Sequence, residues 1–283
     1  MTPMPTNELS QQMYGKVAVV TGSTQGLGEA TARLFAERGA SGIVICGRNA
    51  DRGRRIALEL TERGCATKFV LADLSKLKDC SKVVAAADSK FGRIDVLVNS
   101  AGITDRGTIL DTSPELFDQI FDTNVRAPFF LIQATARIML RERIEGSIVN
   151  VLSIVAHGGP PFITAYSASK GALLTLTKNV AFGLMAHRIR VNGLAIGWTD
   201  TPGEDRIRRL YHGATDGWKD KVEKELPFGR MLKPDEIARA IAFLASEESG
   251  IMTGAIIDFD QSVRGCFQKM PRPEPVIQPQ GNR

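Results

Sequence analysis

The chain has 283 residues, of which 43% are hydrophobic and 24% are charged, a composition typical of a globular protein that can bury a substantial core. Four basic residues and one acidic residue give the segment 264–283 a net charge of +3, so only +2 of the overall +5 remains for the body of the chain. A nearly neutral body argues against nucleic-acid binding, and no apolar run approaches the roughly 20 residues of a membrane span.

The N-terminal sequence MTPMPTNELSQQMYGK has no apolar core of the kind found in signal peptides. The four cysteines, Cys46, Cys65, Cys80 and Cys266, are widely spaced and match no metal-ligand pattern. We therefore expect a cytoplasmic protein with reduced thiols and no metal. We expect neither a nucleic-acid partner nor a membrane partner.

Seven short runs rich in Val and Ile recur along the chain, each followed by a longer helical pattern. Runs that are apolar throughout suit strands buried on both faces of a parallel sheet. These runs are VAVVTG (17–22), IVICG (43–47), KFVLAD (68–73), IDVLVNSAG (94–102), SIVNVLS (147–153), IRVNGLA (189–195) and AIIDF (255–259). The alternation predicts an α/β fold, a single doubly wound Rossmann-type domain over residues 14–263 with a seven-stranded parallel sheet flanked by helices.

Helical periodicity and helix end signals predict the elements between the strands. The predicted helices are 26–38, 50–63, 79–91, 114–143, 166–186 and 234–248. The segment 199–230 is polar and follows the sixth strand, at the edge where open α/β sheets bind ligands, so we expect a substrate lid there. The segment 1–13 and the proline-rich segment 264–283 are expected to be flexible.

The first strand leads directly into the sequence TGSTQGLG (21–28). Glycines at 22, 26 and 28 allow a tight turn, a close approach of the backbone to a pyrophosphate, and the start of a helix whose N-terminal amides favour phosphate. The position of this loop, between an apolar strand and an amphipathic helix, indicates a dinucleotide-binding turn.

A tyrosine and a lysine stand one helical turn apart in the sequence YSASK (166–170). In a helix, Tyr166 and Lys170 project from the same face, so both side chains can reach one ligand. A tyrosine with an ordinary pKa of about 10 is a poor base unless a nearby cation favours the phenolate, and Lys170 could supply that charge. Taken alone, the pair also fits an ordinary surface helix with two hydrogen-bonding side chains.

Residues 14–262 as a whole resemble the short-chain dehydrogenase/reductase family. The matching elements are the TGxxxGxG loop (Thr21, Gly22, Gly26, Gly28), an acidic residue in ADL (Asp73), the NNAG motif in the form Asn99-Ser100-Ala101-Gly102, the asparagine of FDTNV (Asn124), a serine thirteen positions before the tyrosine (Ser153), and YxxxK (Tyr166, Lys170). They occur in the order and at the strand ends that the family shows.

The resemblance implies a catalytic set of Asn124, Ser153, Tyr166 and Lys170. Tyr166 would exchange a proton with the reacting oxygen, which Ser153 would steady, while Lys170 would bind the nicotinamide ribose. Asn124 would hold a water that links Lys170 to solvent, although it could also be an ordinary hydrogen-bonding residue inside a helix. The resemblance further implies an NAD(P) cofactor bound by Thr21, Gly22, Thr24, Gln25, Gly26, Leu27, Gly28, Arg48, Asp73, Leu74, Asn99, Ala101, Gly102, Tyr166, Lys170, Gly197 and Thr199.

The end of the second strand bears on the choice between NAD and NADP. It reads Gly47-Arg48-Asn49, without the acidic residue that would bind the adenine ribose diol of NAD. Arg48 can meet a 2′-phosphate, so we predict that NADP is preferred over NAD. Gln25 weakens this prediction, because many NADP-using relatives have a second basic residue at its position.

The expected activity is the interconversion of a secondary alcohol and a ketone, with a small sugar or polyol as the favoured substrate. Polar residues at 260–262 replace glycines where the resemblance places the substrate pocket, and the lid has few aliphatic side chains. The alternatives are a 3-oxoacyl or other carbonyl reductase and, in another class, a non-catalytic dinucleotide sensor or scaffold. His157, Trp198 and Trp218 could line the site or only pack.

Two further expectations come from comparing the chain with the family pattern. Ile196-Gly197 replaces the usual Pro-Gly after the sixth strand, which would make the loop over the nicotinamide less rigid. Relatives usually assemble through their long helices and final strand, so the resemblance implies a homotetramer, with a dimer as the next alternative.

Overall fold

The computed structural model describes residues 11–266. Most of the predicted flexible segments, 1–13 and 264–283, therefore lies outside the described residues. The strands of the described residues form one seven-stranded sheet in which every adjacent pair is parallel. The predicted Rossmann-type fold is confirmed.

The strands follow the order β3-β2-β1-β4-β5-β6-β7 across the sheet. Their bounds are β1 Val17–Val20, β2 Gly42–Gly47, β3 Ala66–Leu71, β4 Val96–Asn99, β5 Ser147–Ser153, β6 Arg190–Ile196 and β7 Ile256–Phe259. The order reverses between β1 and β4, which lie side by side with β2 on the far side of β1. In such sheets the ligand crevice opens beyond the carboxyl ends of the strands at this reversal.

Helices cover both faces of the sheet. Their bounds are α1 Gly26–Glu37, α2 Ala50–Glu62, α3 Leu77–Phe91, α4 Pro114–Phe121, α5 Ala127–Arg141, α6 Thr164–Leu184, α7 Pro202–His212, α8 Trp218–Glu223 and α9 Pro234–Ala245. Buried side chains of α1, α2 and α9 pack on one face, and those of α3, α5 and α6 pack on the other. Successive residues of β1 alternate between the two cores, which explains why the central strands are apolar throughout.

The predicted helix 114–143 is interrupted. Between α4 and α5, residues Asp122–Arg126 form a π-helical turn that contains the fully buried Asn124. Such wide turns insert one residue into a helix and frequently mark functional sites. The sequence pattern did not reveal this turn because its neighbours keep helical periodicity on both sides.

The predicted lid 199–230 contains two helices, α7 and α8, and its base is closed by backbone pairing. Leu232 N–H donates to the Trp198 carbonyl, and Asp200 N–H donates to the Leu232 carbonyl. The lid is thus a helical insertion held at both ends beside β6. Within residues 11–266, none of the helices is both long and apolar enough to traverse a lipid bilayer.

Candidate active site

The loop between β1 and α1 brings backbone close to backbone. Gly22 has φ +64°, and a Cβ there would lie 2.8 Å from the Ala101 Cα, so only glycine fits. A Cβ on Gly28 would lie 2.5 Å from the carbonyl oxygen of Gly22. The first turn of α1 therefore sits directly on the loop, with its amides directed at the crevice beyond β1.

Thr21 fastens this loop to the end of β4. Its hydroxyl oxygen accepts hydrogen bonds from the N–H groups of Ser100 and Ala101, both at 3.0 Å, and donates to the carbonyl of Val98 at 3.3 Å. Thr21 thus holds the glycine loop (21–28) against the NSAG segment (99–102), and we call these two segments together the cradle.

The far end of the cradle lies at the carboxyl end of β2. Thr24 packs against Gly47, where a Cβ would lie 2.5 Å from the Thr24 hydroxyl oxygen. Arg48 follows on the exposed surface, and Arg52, one turn into the following helix, donates to the Gln25 side-chain oxygen at 2.7 Å. The Arg52 guanidinium therefore lies beside the loop. Sequence reasoning found Arg48 at the end of β2 but missed Arg52.

Asp73 and Leu74 lie just beyond β3. The Asp73 carboxylate accepts hydrogen bonds from the hydroxyl and the N–H of Ser75, and it forms a 3.5 Å ion pair with Lys76. Burial acts against ionisation, but these hydrogen bonds outweigh it and lower the pKa of Asp73. Leu74 is buried in the core, so within this structure the pair chiefly shapes the turn that borders the cradle.

A buried polar chain crosses from β4 to α6. The Asn99 amide donates to the Asn150 side-chain oxygen at 2.8 Å, and the Asn150 amide donates to the Thr177 hydroxyl at 2.9 Å. The side-chain oxygen of Asn99 is buried and has no hydrogen-bond partner among the described residues. Since such an atom is costly to leave unpaired, it marks the end of β4 as a place where a ligand donor would be stabilised.

Asn124 fixes the loop that leaves β4. Its side-chain oxygen accepts from the Ile103 N–H at 3.0 Å, and its amide donates to the Ile103 carbonyl at 3.0 Å and to the Ser169 hydroxyl at 3.1 Å. The Ser169 hydroxyl in turn donates to the Tyr166 carbonyl. Asn124 therefore connects the loop after β4 with the segment of α6 that carries the tyrosine.

Tyr166 and Lys170 face the crevice from α6, as their spacing predicted. The Lys170 ammonium is buried, donates to the Val151 carbonyl at 2.8 Å, and lies 5.8 Å from the centre of the Tyr166 ring. A Cβ on Gly102 would lie 3.6 Å from this ammonium and 3.4 Å from the Asn124 side-chain oxygen. Tyr166 keeps some exposed surface, and the Ser153 hydroxyl at the end of β5 acts to lower its pKa.

The electrostatics of this pair differ from the expectation that Lys170 lowers the pKa of the tyrosine. Burial raises the pKa of Tyr166 to about 12, against the lowering effects of the Ser153 hydrogen bond and of Arg106. Burial likewise lowers the pKa of Lys170 to about 8. In this structure Lys170 is desolvated and bonded to a backbone carbonyl, and Arg106 is the cation whose field lowers the pKa of the tyrosine.

The lid joins the site along the loop after β6. Gly197 is covered by the Asp260 carboxylate, since a Cβ there would overlap the carboxylate oxygen at 1.7 Å. Thr199 is buried and donates to the Gly197 carbonyl at 3.0 Å. The two side chains after β7 therefore have structural contacts: Asp260 packs on Gly197, and Gln261 hydrogen-bonds the backbone of Phe228 and Arg230.

The two tryptophans form the core of the lid. Their rings are stacked with centres 6.4 Å apart, and Arg208 lies 4.0 Å above the centre of the Trp198 ring. The Trp198 N–H donates to Glu204, and the Trp218 N–H donates to Asp205, both at 2.8 Å. Trp218 is therefore an anchor of the lid. His157 ends an exposed turn, in agreement with the loop interpretation.

Sequence reasoning missed Arg106, which the loop after β4 places next to the tyrosine. Its side chain is only 13% exposed and lies 3.9 Å from the Glu204 carboxylate of the lid. Its field lowers the pKa of Tyr166, whereas that of Glu204 raises it. The only sequence signal for Arg106 was its position in a glycine-containing loop just after the NSAG sequence.

The described residues fit a dinucleotide. The glycine loop supplies backbone N–H groups for a pyrophosphate, the guanidinium groups of Arg48 and Arg52 stand at one end of the cradle, and the buried Lys170 with the unpaired Asn99 oxygen stands at the other. Beyond the Lys170 end, the Tyr166 and Ser153 hydroxyls form a proton-exchanging pair. This fold and this site define a nucleotide-dependent oxidoreductase.

The chain belongs to the short-chain dehydrogenase/reductase family. Residues 22–262 match the family model described as enoyl-(acyl carrier protein) reductase. The chain is 35% identical over 253 residues to a 3-oxoacyl-acyl-carrier-protein reductase of Chlamydia muridarum, covering 89% of this chain and 98% of that protein. It is 33% identical over 255 residues to galactitol 2-dehydrogenase of Agrobacterium fabrum, covering 88% and 97% respectively.

Solved structures agree with this assignment. L-sorbose reductase of Gluconobacter frateurii, in a complex with NADPH and L-sorbose, superposes with a TM-score of 0.83 at 30% identity, covering 91% of this chain and all of that one. The protein is thus an NAD(P)-dependent oxidoreductase that acts on alcohol and carbonyl groups.

The burial of Lys170 makes a testable contribution to stability. Its pKa is about 8 in the folded protein against an ordinary 10.5, so between these values the unfolded chain binds more protons than the folded one. The contribution of Lys170 to the free energy of unfolding therefore rises with pH between these two pKa values. Compared with Lys170→Met, the wild type should gain on the order of 1–3 kcal/mol in unfolding free energy from pH 7 to pH 10.

Urea unfolding of both proteins at the two pH values measures this difference. Lys178→Met, which removes an exposed ammonium from the same helix, controls for the loss of charge itself. A difference between wild type and Lys170→Met that stays constant with pH would show that Lys170 is not held in a desolvated position.

Proposed function

We propose that this protein interconverts a secondary alcohol and a ketone on a small, hydroxyl-rich substrate, a sugar or a polyol. One observation carries the proposal: the lid presents polar groups, above all the Glu204 carboxylate, to the half-buried Tyr166. Glu204 is only 16% exposed and acts on the pKa of the tyrosine. A site built from buried hydrogen-bonding groups favours hydroxylated ligands, because an apolar ligand would leave these groups unpaired.

Within this proposal each residue of the catalytic set has a distinct role. Tyr166 donates its proton to the carbonyl oxygen in reduction, or removes the alcohol proton in oxidation. The raised pKa keeps the phenol protonated at neutral pH, the form required for reduction. Ser153, which already bonds the tyrosine hydroxyl, orients the same substrate oxygen. The bound nicotinamide supplies or accepts the hydride.

Lys170 and Asn124 support this pair. In this proposal the Lys170 ammonium binds a ribose hydroxyl at the inner end of the cradle. Asn124 positions the loop after β4 through Ile103 and fixes the tyrosine-bearing turn of α6 through Ser169. These contacts make Asn124 a positioning residue, and its predicted role of holding a water between Lys170 and solvent remains a proposal.

The second candidate is a 3-oxoacyl reductase, which is the activity of the similar Chlamydia protein. An acyl chain would be expected to meet an apolar lid. Here α7 carries PGEDRIRRLYH, in which only Ile207 is buried and the acidic and basic side chains form ion pairs along the helix. A non-catalytic sensor or scaffold is disfavoured, since a pure binder has no use for the Tyr166–Ser153 pair.

A substrate panel decides between these functions. With both nicotinamides, we expect turnover of sugars, polyols and their keto forms, and little turnover of aliphatic secondary alcohols or 3-oxoacyl esters. Tyr166→Phe keeps the ring but removes the proton donor, so its turnover should fall at least ~10²-fold while cofactor affinity is nearly unchanged. Efficient turnover of the apolar substrates alone, or near-normal turnover by Tyr166→Phe, would contradict the proposal.

We further propose that NADP is the preferred cofactor. Arg48 is exposed beside the loop and Arg52 is held there by Gln25, so a 2′-phosphate on the adenine ribose would meet two guanidinium groups. Gln25, which argued against NADP in the sequence, instead positions the second arginine.

Loss of either arginine should weaken NADP selectively. We expect Arg48→Ala and Arg52→Ala each to raise the Kd for NADP about 10- to 100-fold, and the Kd for NAD less than about threefold, because charged hydrogen bonds to the phosphate are lost. Arg54→Ala removes a 68% exposed guanidinium paired with Asp51 on the same helix and is the matched control. Equal weakening of both nicotinamides would show that the two arginines do not read the phosphate.

We also propose that the protein assembles as a homotetramer, with other copies covering apolar side chains of its long helices. Phe117 of α4 and Phe182 of α6 are exposed, the latter by 79%. The three buried cysteines among the four free ones suit a reducing compartment, so we place the protein in the cytoplasm.

The mass in solution tests the assembly. Light scattering at micromolar concentration should give a tetramer, and Phe182→Glu should shift it toward smaller species. Leu58→Glu, at a position 61% exposed on α2, is the control that should leave the mass unchanged. A monomeric wild-type protein would contradict the proposal.

A further inference from the structure

The loop that carries Arg106 is fixed at both ends to elements of the active site. At its start, the N–H and carbonyl of Ile103 are both bonded by Asn124. At its end, Gly107 N–H donates to the Phe162 carbonyl at 2.9 Å, just before the helix of Tyr166. Arg106 is therefore held in place by the same residues that hold the tyrosine.

The Arg106 guanidinium is desolvated and incompletely bonded. It donates from Nη1 to the Thr104 carbonyl at 2.8 Å and from Nε to the His212 ring at 3.2 Å, and its carbon lies 5.6 Å from the centre of the Phe162 ring. A guanidinium has five N–H donors, so three of them make no hydrogen bond to any described residue. Burial lowers the pKa of Arg106, which is what an arginine short of charged partners shows.

Glu204 pairs with Arg106 at a distance but makes no hydrogen bond to it. Its nearest oxygen is 3.9 Å from the Arg106 Nη2, beyond hydrogen-bond distance. The same oxygen already accepts from Trp198 at 2.8 Å and from Arg208 at 3.2 Å. Thr201, the N-cap of α7, accepts from the Glu204 N–H and fixes the first turn that carries it.

The charges around the tyrosine therefore leave a net positive balance. Arg106 and Arg208 oppose the single carboxylate of Glu204. His212 accepts the Arg106 hydrogen bond, and burial together with the two arginines lowers its pKa, so it is neutral. Asp105, the remaining acid of this loop, is engaged with Arg206 and the Tyr211 hydroxyl.

We propose that Arg106 is the substrate-recognition residue of this enzyme and binds a carboxylate, so that its preferred substrates are polyhydroxylated carboxylic acids. The inference rests on the proposed function and specifies its substrate class. A planar carboxylate matches the free N–H pair of the guanidinium. The hydroxyls of the substrate would contact Glu204 and Ser153. The negative charge of its carboxylate would offset the net positive charge around the tyrosine. A neutral polyol would leave Arg106 with Glu204, which it shares with Arg208, as its nearest acid.

Matched substrate pairs test this inference. Aldonic acids are compared with alditols of the same carbon chain, D-gluconate with D-glucitol among them, and with a phosphate ester, D-glucitol 6-phosphate. For the aldonic acid that the wild type oxidises fastest, kcat/KM should be at least about 10-fold higher than for the alditol of the same carbon chain. A neutral alditol would leave N–H donors of the buried guanidinium without partners, which weakens its binding. Arg106→Gln should lower the ratio of kcat/KM for the acid to kcat/KM for the alditol by about 10²-fold. Any effect of the substitution on Tyr166 is common to both substrates and cancels in this ratio.

Two further variants separate recognition from folding. Arg106→Lys retains the charge and should keep part of the preference for the acid, whereas Arg206→Gln removes a 60% exposed guanidinium from the lid and should leave the preference unchanged. If Arg106→Gln does not fold, the wild-type comparison together with Arg106→Lys still decides the question.

The outcomes distinguish this inference from the function on which it rests. Turnover of alditols equal to or better than that of the acids, or a preference for the phosphate ester, would overturn the assignment of Arg106 and leave the sugar or polyol function intact. Turnover of none of these compounds, with activity on 3-oxoacyl esters, would overturn both.

Discussion

The Asn124 side chain is the constraint on which the site depends. With both ends of its amide it holds the Ile103 backbone, and through Ser169 it holds the turn of α6 that carries Tyr166. A regular helix through 114–141 would give this residue a different direction, and the π-helical turn at Asp122–Arg126 supplies the change. Arg106, Gly102 and Tyr166 all take their positions from this one buried amide.

The electrostatics of the site follow from burial more than from the Tyr-Lys pair itself. Desolvation pushes the pKa of Tyr166 up and that of Lys170 down, so both groups move toward their neutral forms. Ser153 and Arg106 counter this effect on the tyrosine, while Glu204 reinforces it. The lid, through Glu204, thus acts on the pKa of the tyrosine.

The parallel sheet, the glycine loop and the Tyr166–Lys170 pair could be predicted because each has a local signal: a fully apolar strand, a spacing of glycines, or an i, i+4 pair. Ser153 has no such signal and was identified through the family resemblance. Arg52 and Arg106 could not be assigned, since their partners Gln25 and Glu204 are 27 and 98 residues away in sequence. The π-helical turn has no local signal either. The polar residues after β7 were expected at the pocket floor, but Asp260 and Gln261 contact backbone because Gly197 leaves room for them.

A crystal structure of the protein with NADP and an unreactive analogue of a polyhydroxylated acid is the most direct test. The account predicts that the analogue's reacting oxygen lies about 3 Å from both the Tyr166 hydroxyl and the Ser153 hydroxyl. It also predicts that the ammonium of Lys170 contacts the nicotinamide ribose. An analogue bound away from Tyr166, or a ribose with no contact to Lys170, would contradict the central claim that these side chains form the catalytic site.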